Sequence, residues 1–439
     1  MAEELSVQVQ FDRDYLKRGV SNQELVALIN FSTQSEFARK YPKAFCDLIL
    51  VVDTSGSMDE AFNATAGMSK RAGVLEAARS MATKLESNDT FSLICFDSKE
   101  YIELDHVSGH EKQRITDSLQ AIQRHSGSTN FESAFSAALR LSGSGSNSSR
   151  KVIFLTDGHS SAGSDATARK HNQAIAGLGV TTDCLGVGGD FKFSEMKQYT
   201  DVSNGKTEIL DTPGQAGQLF QGLLAGAQRS LISNVVFQLI FPKDCRDVEV
   251  FQAGPENRWF GMIKPQKDGG YLWEKTLPTL ENDTDYQFLF RFRIDLPADP
   301  QMSRFNFLKY RLSYDVPVKN LKSEMLRNED GIHLQDTKDQ ESTNTDVHAK
   351  LVGAEIEKLN VDCDTAFRNK EWKKLGDLLQ QMIKKAESIR ENAKVKEFRD
   401  RLGKLVKDGH LTQADMNQVA RISSKTTKSS RKGPDTSAF

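Results

Sequence analysis

Cysteine is scarce and scattered in this 439-residue chain, at Cys46, Cys95, Cys184, Cys245 and Cys363, with no CxxC pair. An odd, dispersed set argues against a disulfide framework and for a reducing compartment. Net charge is slight as well, −2, so there is no global pull toward nucleic acid or an anionic membrane, and any electrostatic binding must be local. No nucleic-acid partner is expected. No stretch approaches the roughly 18 consecutive apolar residues that span a bilayer. The opening MAEELSVQVQFDRDYLKRG lacks a basic leader, an apolar core and a cleavage site, so a cytoplasmic protein is expected. A Walker A sequence and a Gly-x-Ser-x-Gly elbow are both missing, and GVGG at 186–189 lacks the spacing and position of a dinucleotide fingerprint. What is present is an ordinary globular composition, 38% hydrophobic and 27% charged, long enough for two or three domains.

One stretch organises the rest: DLILVVDTSGSM, Asp47 to Met58. Its β-branched apolar run predicts a strand buried on both faces, with Asp53 at the carboxyl end, where open α/β sheets bind ligands. Asp53, Ser55 and Ser57 all offer oxygen. One carboxylate with neutral hydroxyls suits a hard cation such as Mg²⁺, which takes about six oxygens and keeps several waters. Two further oxygen donors lie downstream: Thr129, in the polar loop before the helical pattern of NFESAF, and Asp157, ending the buried strand VIFLTD.

Together Asp53-x-Ser55-x-Ser57, Thr129 and Asp157 match the metal-ion-dependent adhesion site of the von Willebrand factor A family, which the chain resembles here. The resemblance implies that a divalent ion, Mg²⁺ or else Mn²⁺ or Ca²⁺, is anchored by Asp53 and coordinated by Ser55 and Ser57. It implies too that Thr129 is gained or lost as the site changes state and that Asp157 acts directly or through water. An Asp or Glu of a protein partner would complete the coordination, and loop rearrangement would shift the last helix of the domain, about residues 216–230. Two alternatives stay open: an adaptor for a separate AAA+ ATPase of the MoxR or chelatase kind, and a Mg²⁺-dependent hydrolase. Against the hydrolase, Ser and Gly stand in DTSGS where a second catalytic carboxylate is expected.

Strand and helix patterns alternate over 41–230, which predicts a doubly wound, mostly parallel sheet. The insertion 59–69 beside the site reads equally as inert or as a partner-facing rim, and His159 is left out of the metal set. Before this region, 1–40 carries an alternating stretch from Leu5 and an apolar run near Val26 to Phe31; after it, 231–318 has a period of two, clearest in DYQFLFRFRIDL with Tyr286, Phe288, Phe290, Phe292, Ile294 and Leu296 on one face. A single antiparallel β-sandwich built from both flanks, with the α/β domain inserted, is the expectation. Residues 319–345 read as a polar linker, 346–409 as a small bundle of three amphipathic helices, and 410–439 as a disordered basic tail.

Overall fold

The computed structural model describes residues 3–62, 67–145, 149–158, 160, 165–188, 191–336 and 343–427. The chain opens with β1 (Leu5–Phe11), β2 (Tyr15–Lys17), β3 (Gln23–Thr33) and α1 (Ser35–Lys40). An α/β unit follows. It comprises β4 (Cys46–Asp53), α2 (Lys70–Ala82), β5 (Thr90–Phe96), β6 (Glu100–Ser108), α3 (Lys112–Ser118) and α4 (Phe131–Ser142). It continues with β7 (Ser149–Thr156), α5 (Asp165–Gly177), β8 (Thr181–Val187), α6 (Phe193–Ser203), β9 (Thr207–Leu210) and α7 (Pro213–Gln228).

The strands of this unit form one sheet in the order β6-β5-β4-β7-β8-β9, parallel except for β6. Because β4 is covered on both sides, its side chains divide by alternation. Leu48, Leu50 and Val52 join the core under α2, α3 and α7, while Ile49 and Val51 join the one under α4, α5 and α6. The chain runs from β4 outward to β5 and β6 on one side and returns through β7 on the other. The carboxyl ends of β4 and β7 therefore flank the point where the winding reverses, the place where such sheets leave a crevice.

The alternating strands after α7 are β10 (Ser230–Phe241), β11 (Cys245–Gly254), β12 (Arg258–Met262), β13 (Tyr271–Glu281), β14 (Tyr286–Ile294), β15 (Arg304–Val316) and β16 (Leu321–Gln335). They complete two sheets with the first strands of the chain, β1-β3-β14-β11-β12 and β13-β10-β15-β16-β2. In the first, β3 pairs antiparallel along the whole of β14 from Gln23↔Ile294 to Phe31↔Tyr286. The predicted aromatic face of β14 packs inward against Val235, Phe237, Leu239 and Phe241 of β10 and Leu308 to Tyr314 of β15. The flanks of the α/β unit thus meet in one core.

Two sequence expectations are corrected. Residues 321–335, read as part of a linker over 319–345, form β16, paired with β15 from Val316↔Leu321 to Arg304↔His333 and with β2 at its end. Most of β16 faces solvent, so its side chains carry no apolar alternation; backbone hydrogen bonds to β15 define it instead. The basic tail expected over 410–439 contains a helix, α11 (Gln413–Ser424), opened by a capping box between Thr412 and Asp415. Met416, Val419 and Ala420 supply its buried stripe, spaced as one helix face but too small to stand out in a Ser/Lys-rich sequence. Residues 428–439 lie outside the described part.

The preceding helices are α8 (Thr345–Arg368), α9 (Trp372–Ser388) and α10 (Asn392–Asp408), which with α11 share an apolar core. The other end of α8 lies on the sandwich, with Val347, Leu351 and Ala354 against Val26, Leu28, Phe251 and Leu289.

Candidate metal centre

The crevice at the ends of β4 and β7 brings together four of the residues singled out in the sequence, Asp53, Ser55, Ser57 and Asp157. Asp53 is fully buried, and both carboxylate oxygens are engaged: Oδ1 accepts from the Ser55 backbone N–H at 2.9 Å and Oδ2 from the Thr156 hydroxyl at 2.6 Å. A bond from residue i+2 back to a strand-terminal Asp folds the next residues into a tight turn, which passes into a 3₁₀ turn at Gly56–Asp59. That turn brings the two serines together. The Ser55 and Ser57 hydroxyl oxygens lie 3.2 Å apart, and the Ser57 hydroxyl donates to Asp157 Oδ1 at 2.8 Å.

Thr129 lies in the loop before α4, beside the serine turn. Gly56 N–H donates to the Gly127 carbonyl at 3.2 Å, so this loop is hydrogen-bonded to the serine turn, and Thr129 is buried two residues on. The Asp97 backbone carbonyl accepts from Asn130 N–H at 2.9 Å, and a Cβ at Gly127 would stand 3.1 Å from Asp97 Cγ. A side chain at Gly127 would require the Asp97 carboxyl to give by a few tenths of an ångström. His159 and residues 63–66 of the insertion lie outside the described part. The remainder of that insertion folds back on itself, with Phe62 N–H donating to the Met68 carbonyl at 3.0 Å and the Phe62 ring buried against α2.

Three residues not anticipated from the sequence complete the surroundings. Lys70, the first residue of α2, places its ammonium 2.7 Å from Asp157 Oδ2 and 2.9 Å from Glu60 Oε2. Arg71 donates to the Thr54, Ser55 and His125 carbonyls at 3.0, 3.2 and 2.8 Å, clamping the serine turn to the loop that leads to Thr129. Thr156 supplies the hydroxyl on Asp53. A signal for the two cations was present: consecutive basic residues opening a helix oppose its dipole and require another partner.

The crevice holds two buried carboxylates, Asp53 and Asp157, and one buried ammonium, Lys70. Burial pushes the Asp53 carboxyl up to about 6, against the hydrogen bonds of Thr156 and Ser55, with the charge of Asp157 adding to the rise. Burial alone would lower the Lys70 ammonium, but its hydrogen bonds to Asp157 and Glu60 raise it overall. The donor geometry fits a hard ion. Adjacent oxygens of an octahedral shell at about 2.1 Å from the ion lie about 3.0 Å apart, and the Ser55–Ser57 and Ser57–Asp157 separations of 3.2 and 2.8 Å bracket that distance. No cluster of three or more His, Cys, Asp or Glu side chains suited to a metal occurs among the described residues, so a cation here would depend on hydroxyl oxygens.

Comparison with known proteins agrees with this architecture. The family model of the von Willebrand factor type A domain matches residues 48–159. Among solved structures, the fold is similar over 97% of this chain and 98% of the other to "von Willebrand factor type A from Catenulispora acidiphila", at 16% identity and a TM-score of 0.77. It is also similar to the ArnB paralog VWA2 from Sulfolobus acidocaldarius, over 96% and 98% of the two chains, at 15% identity and a TM-score of 0.56. No curated protein sequence matches. No helix among the described residues is long and apolar enough to cross a membrane. With the matched segment running from β4 through Asp157, the central α/β unit of this chain carries the sequence match and the fold of a von Willebrand factor type A domain.

Proposed function

We propose that this domain is a metal-dependent protein-recognition module in which Asp53, Ser55, Ser57, Thr129 and Asp157 hold a divalent hard cation, Mg²⁺ first, and an Asp or Glu of a partner protein completes the coordination. The observation that carries the reading is the chain of oxygens from Asp157 through Ser57 to Ser55, spaced as neighbouring ligands of one ion. When bound, the ion supplies a Lewis-acidic position for a carboxylate oxygen. The chain's residues do the rest. Thr156 and the Ser55 N–H fix Asp53, Arg71 holds the serine turn against the 125–129 loop, and exposed Ser57 leaves the crevice open to solvent. Two carboxylates neutralise a divalent ion, and the Lys70 ammonium beside Asp157 leaves the loaded site net positive, so an anionic ligand is favoured over a neutral one.

The test is capture of partners by the full chain in Mg²⁺ and in EDTA, wild type beside Asp53→Ala, with folding of the variant verified by circular dichroism. Proteins retained by wild type in Mg²⁺ and lost in EDTA and in the variant support the reading. Equal capture under all conditions removes it and assigns binding to the sandwich or the helical end. Retention that also requires ATP marks the adaptor form, with an AAA+ ATPase as partner.

A further inference from the structure

Lys70 is in an unusual place for a cation. It opens α2 directly after the N-cap Ser69, where the helix dipole disfavours positive charge, and its side chain is only 6% exposed. Its ammonium nevertheless touches Asp157, itself a proposed ligand, at 2.7 Å, and lies 3.4 Å from the Ser57 carbonyl. Space is kept for it on the far side. Gly188, with φ +86°, passes so near that a Cβ there would stand 3.0 Å from Lys70 Cε. Helix position, burial and a glycine-made slot together hold one positive charge at the edge of the crevice.

We propose that Lys70 is a tethered counter-cation that weakens binding of the free metal ion and strengthens binding of an acidic ligand once the ion is present, which makes it a specificity-determining residue of the site. This rests on the metal-dependent reading above. Charge bookkeeping gives the direction. Asp53 and Asp157, ionised, with Lys70 carry −1; a divalent ion brings the site to +1, and a partner carboxylate returns it to neutral. Without the lysine the same steps run −2, 0 and −1. The lysine therefore opposes the first step and favours the second. Counting Glu60, whose carboxylate is 63% exposed and hydrated, lowers every value equally and leaves the difference unchanged.

The experiment is a calorimetric titration of the full chain with Mn²⁺, with and without acetate as the carboxylate probe, on wild type, Lys70→Arg, Lys70→Gln, Lys70→Met and Glu60→Gln. Lys70→Gln and Lys70→Met are expected to bind Mn²⁺ at least about tenfold tighter than wild type, since a unit charge a few ångströms away is removed. Acetate should raise their Mn²⁺ affinity less than it raises that of wild type, by linkage. Lys70→Arg should stay near wild type. Glu60→Gln leaves the ammonium leaning on Asp157 alone and should bind Mn²⁺ more weakly; being a surface change, it keeps the test alive if the buried variants misfold. Mn²⁺ binding by Lys70→Gln but not by wild type supports the proposal in its strongest form. Wild-type binding left unchanged by both neutral variants, or by Glu60→Gln where those do not fold, overturns the role of Lys70 alone. Absence of binding in every protein overturns the role of Lys70 and the metal reading together.

Discussion

Lys151 and Lys70 are buried lysines that each sit between two carboxylates, and they serve different ends. Lys151, on β7, pairs with Asp183 of β8 at 2.8 Å and with Glu281 of β13 at 3.3 Å, joining the α/β unit to the sandwich. Lys70, at the opposite end of the same sheet, pairs with Asp157 and Glu60. The Lys151–Asp183 pair is almost fully enclosed. Lys206 adds a second cation to Glu281 at 3.2 Å, and α7 approaches so near that a Cβ at Gly226 would stand 2.8 Å from Glu281 Oε1. The Lys70 cluster is closed on one side only, because Glu60 is exposed and Ser57 opens to solvent. A cation enclosed by buried carboxylates holds two units together, whereas one at the mouth of a crevice can share its acids with a visiting ion.

The comparison breaks most visibly at the enclosed end. Lys151→Met leaves Asp183 buried without its cation and Glu281 with Lys206 alone, and a loss of roughly 3–5 kcal/mol in the free energy of unfolding is expected from denaturant titration. A loss below about 1 kcal/mol would mean that the seam does not depend on this pair. Proton linkage separates the two ends next, since they respond to pH in opposite directions. The charges of Lys151 and Lys206 overcome burial and hold Glu281 down at about 2, below its ordinary 4.5, so its contribution is present above pH 4.5 and is lost as the pH falls toward 2. Asp53 is raised from 3.8 to about 6, so metal-free protein is favoured by its protonation at low pH and loses that stability as the pH rises from about 4 to about 6. Each amounts to roughly 3 kcal/mol. Stability measured against pH should show both limbs in EDTA. Saturating Mg²⁺ should flatten the Asp53 limb and leave the Glu281 limb in place; a Mg²⁺ effect on the Glu281 limb alone would contradict the assignment.

A smaller effect joins the two scales. Gly188→Ala places a side chain at φ +86° and 3.0 Å from Lys70 Cε, so backbone strain of about 1–2 kcal/mol is expected together with displacement of the ammonium. Tighter Mn²⁺ binding alongside the lost stability would show that the slot for Lys70 matters to the ion. Weaker Mn²⁺ binding would mean that the glycine shapes the ligand loops directly.

The sheet strands and the oxygen-bearing residues that gather at their ends were legible because each is written in a short stretch. The run Leu48 to Val52 can hardly be other than a buried strand, and Asp53, Ser55 and Ser57 follow it by chain geometry alone. Their meeting with Asp157 was legible through the family resemblance and the shared strand-end setting. The cation that meets Asp157 was not. Lys70 comes to the crevice because the insertion between Glu60 and Lys70 closes on itself, with Lys70 N–H donating to the Glu60 carbonyl at 2.9 Å, and no periodicity announces such a closure. The same limit hid β16, defined by its neighbour's backbone, and α11, whose buried stripe of Met416, Val419 and Ala420 is short and mostly small.

The smallest predicted effect isolates charge from structure at the open end. Glu60 is more than half exposed, and its ion pair with Lys70 is one of a class that contributes about 0–1 kcal/mol. Glu60→Gln should therefore move the unfolding midpoint in EDTA by little, within about 0.5 kcal/mol. Its effect on the ion should be proportionally larger, because the freed ammonium turns wholly to Asp157, the acid it already meets at 2.7 Å. A variant as stable as wild type but with weaker Mn²⁺ binding would place the action of Glu60 in the competition between ammonium and metal. A drop in stability comparable to that of Lys151→Met would instead show that the crevice is braced like the seam, and the distinction between the two lysines would fall.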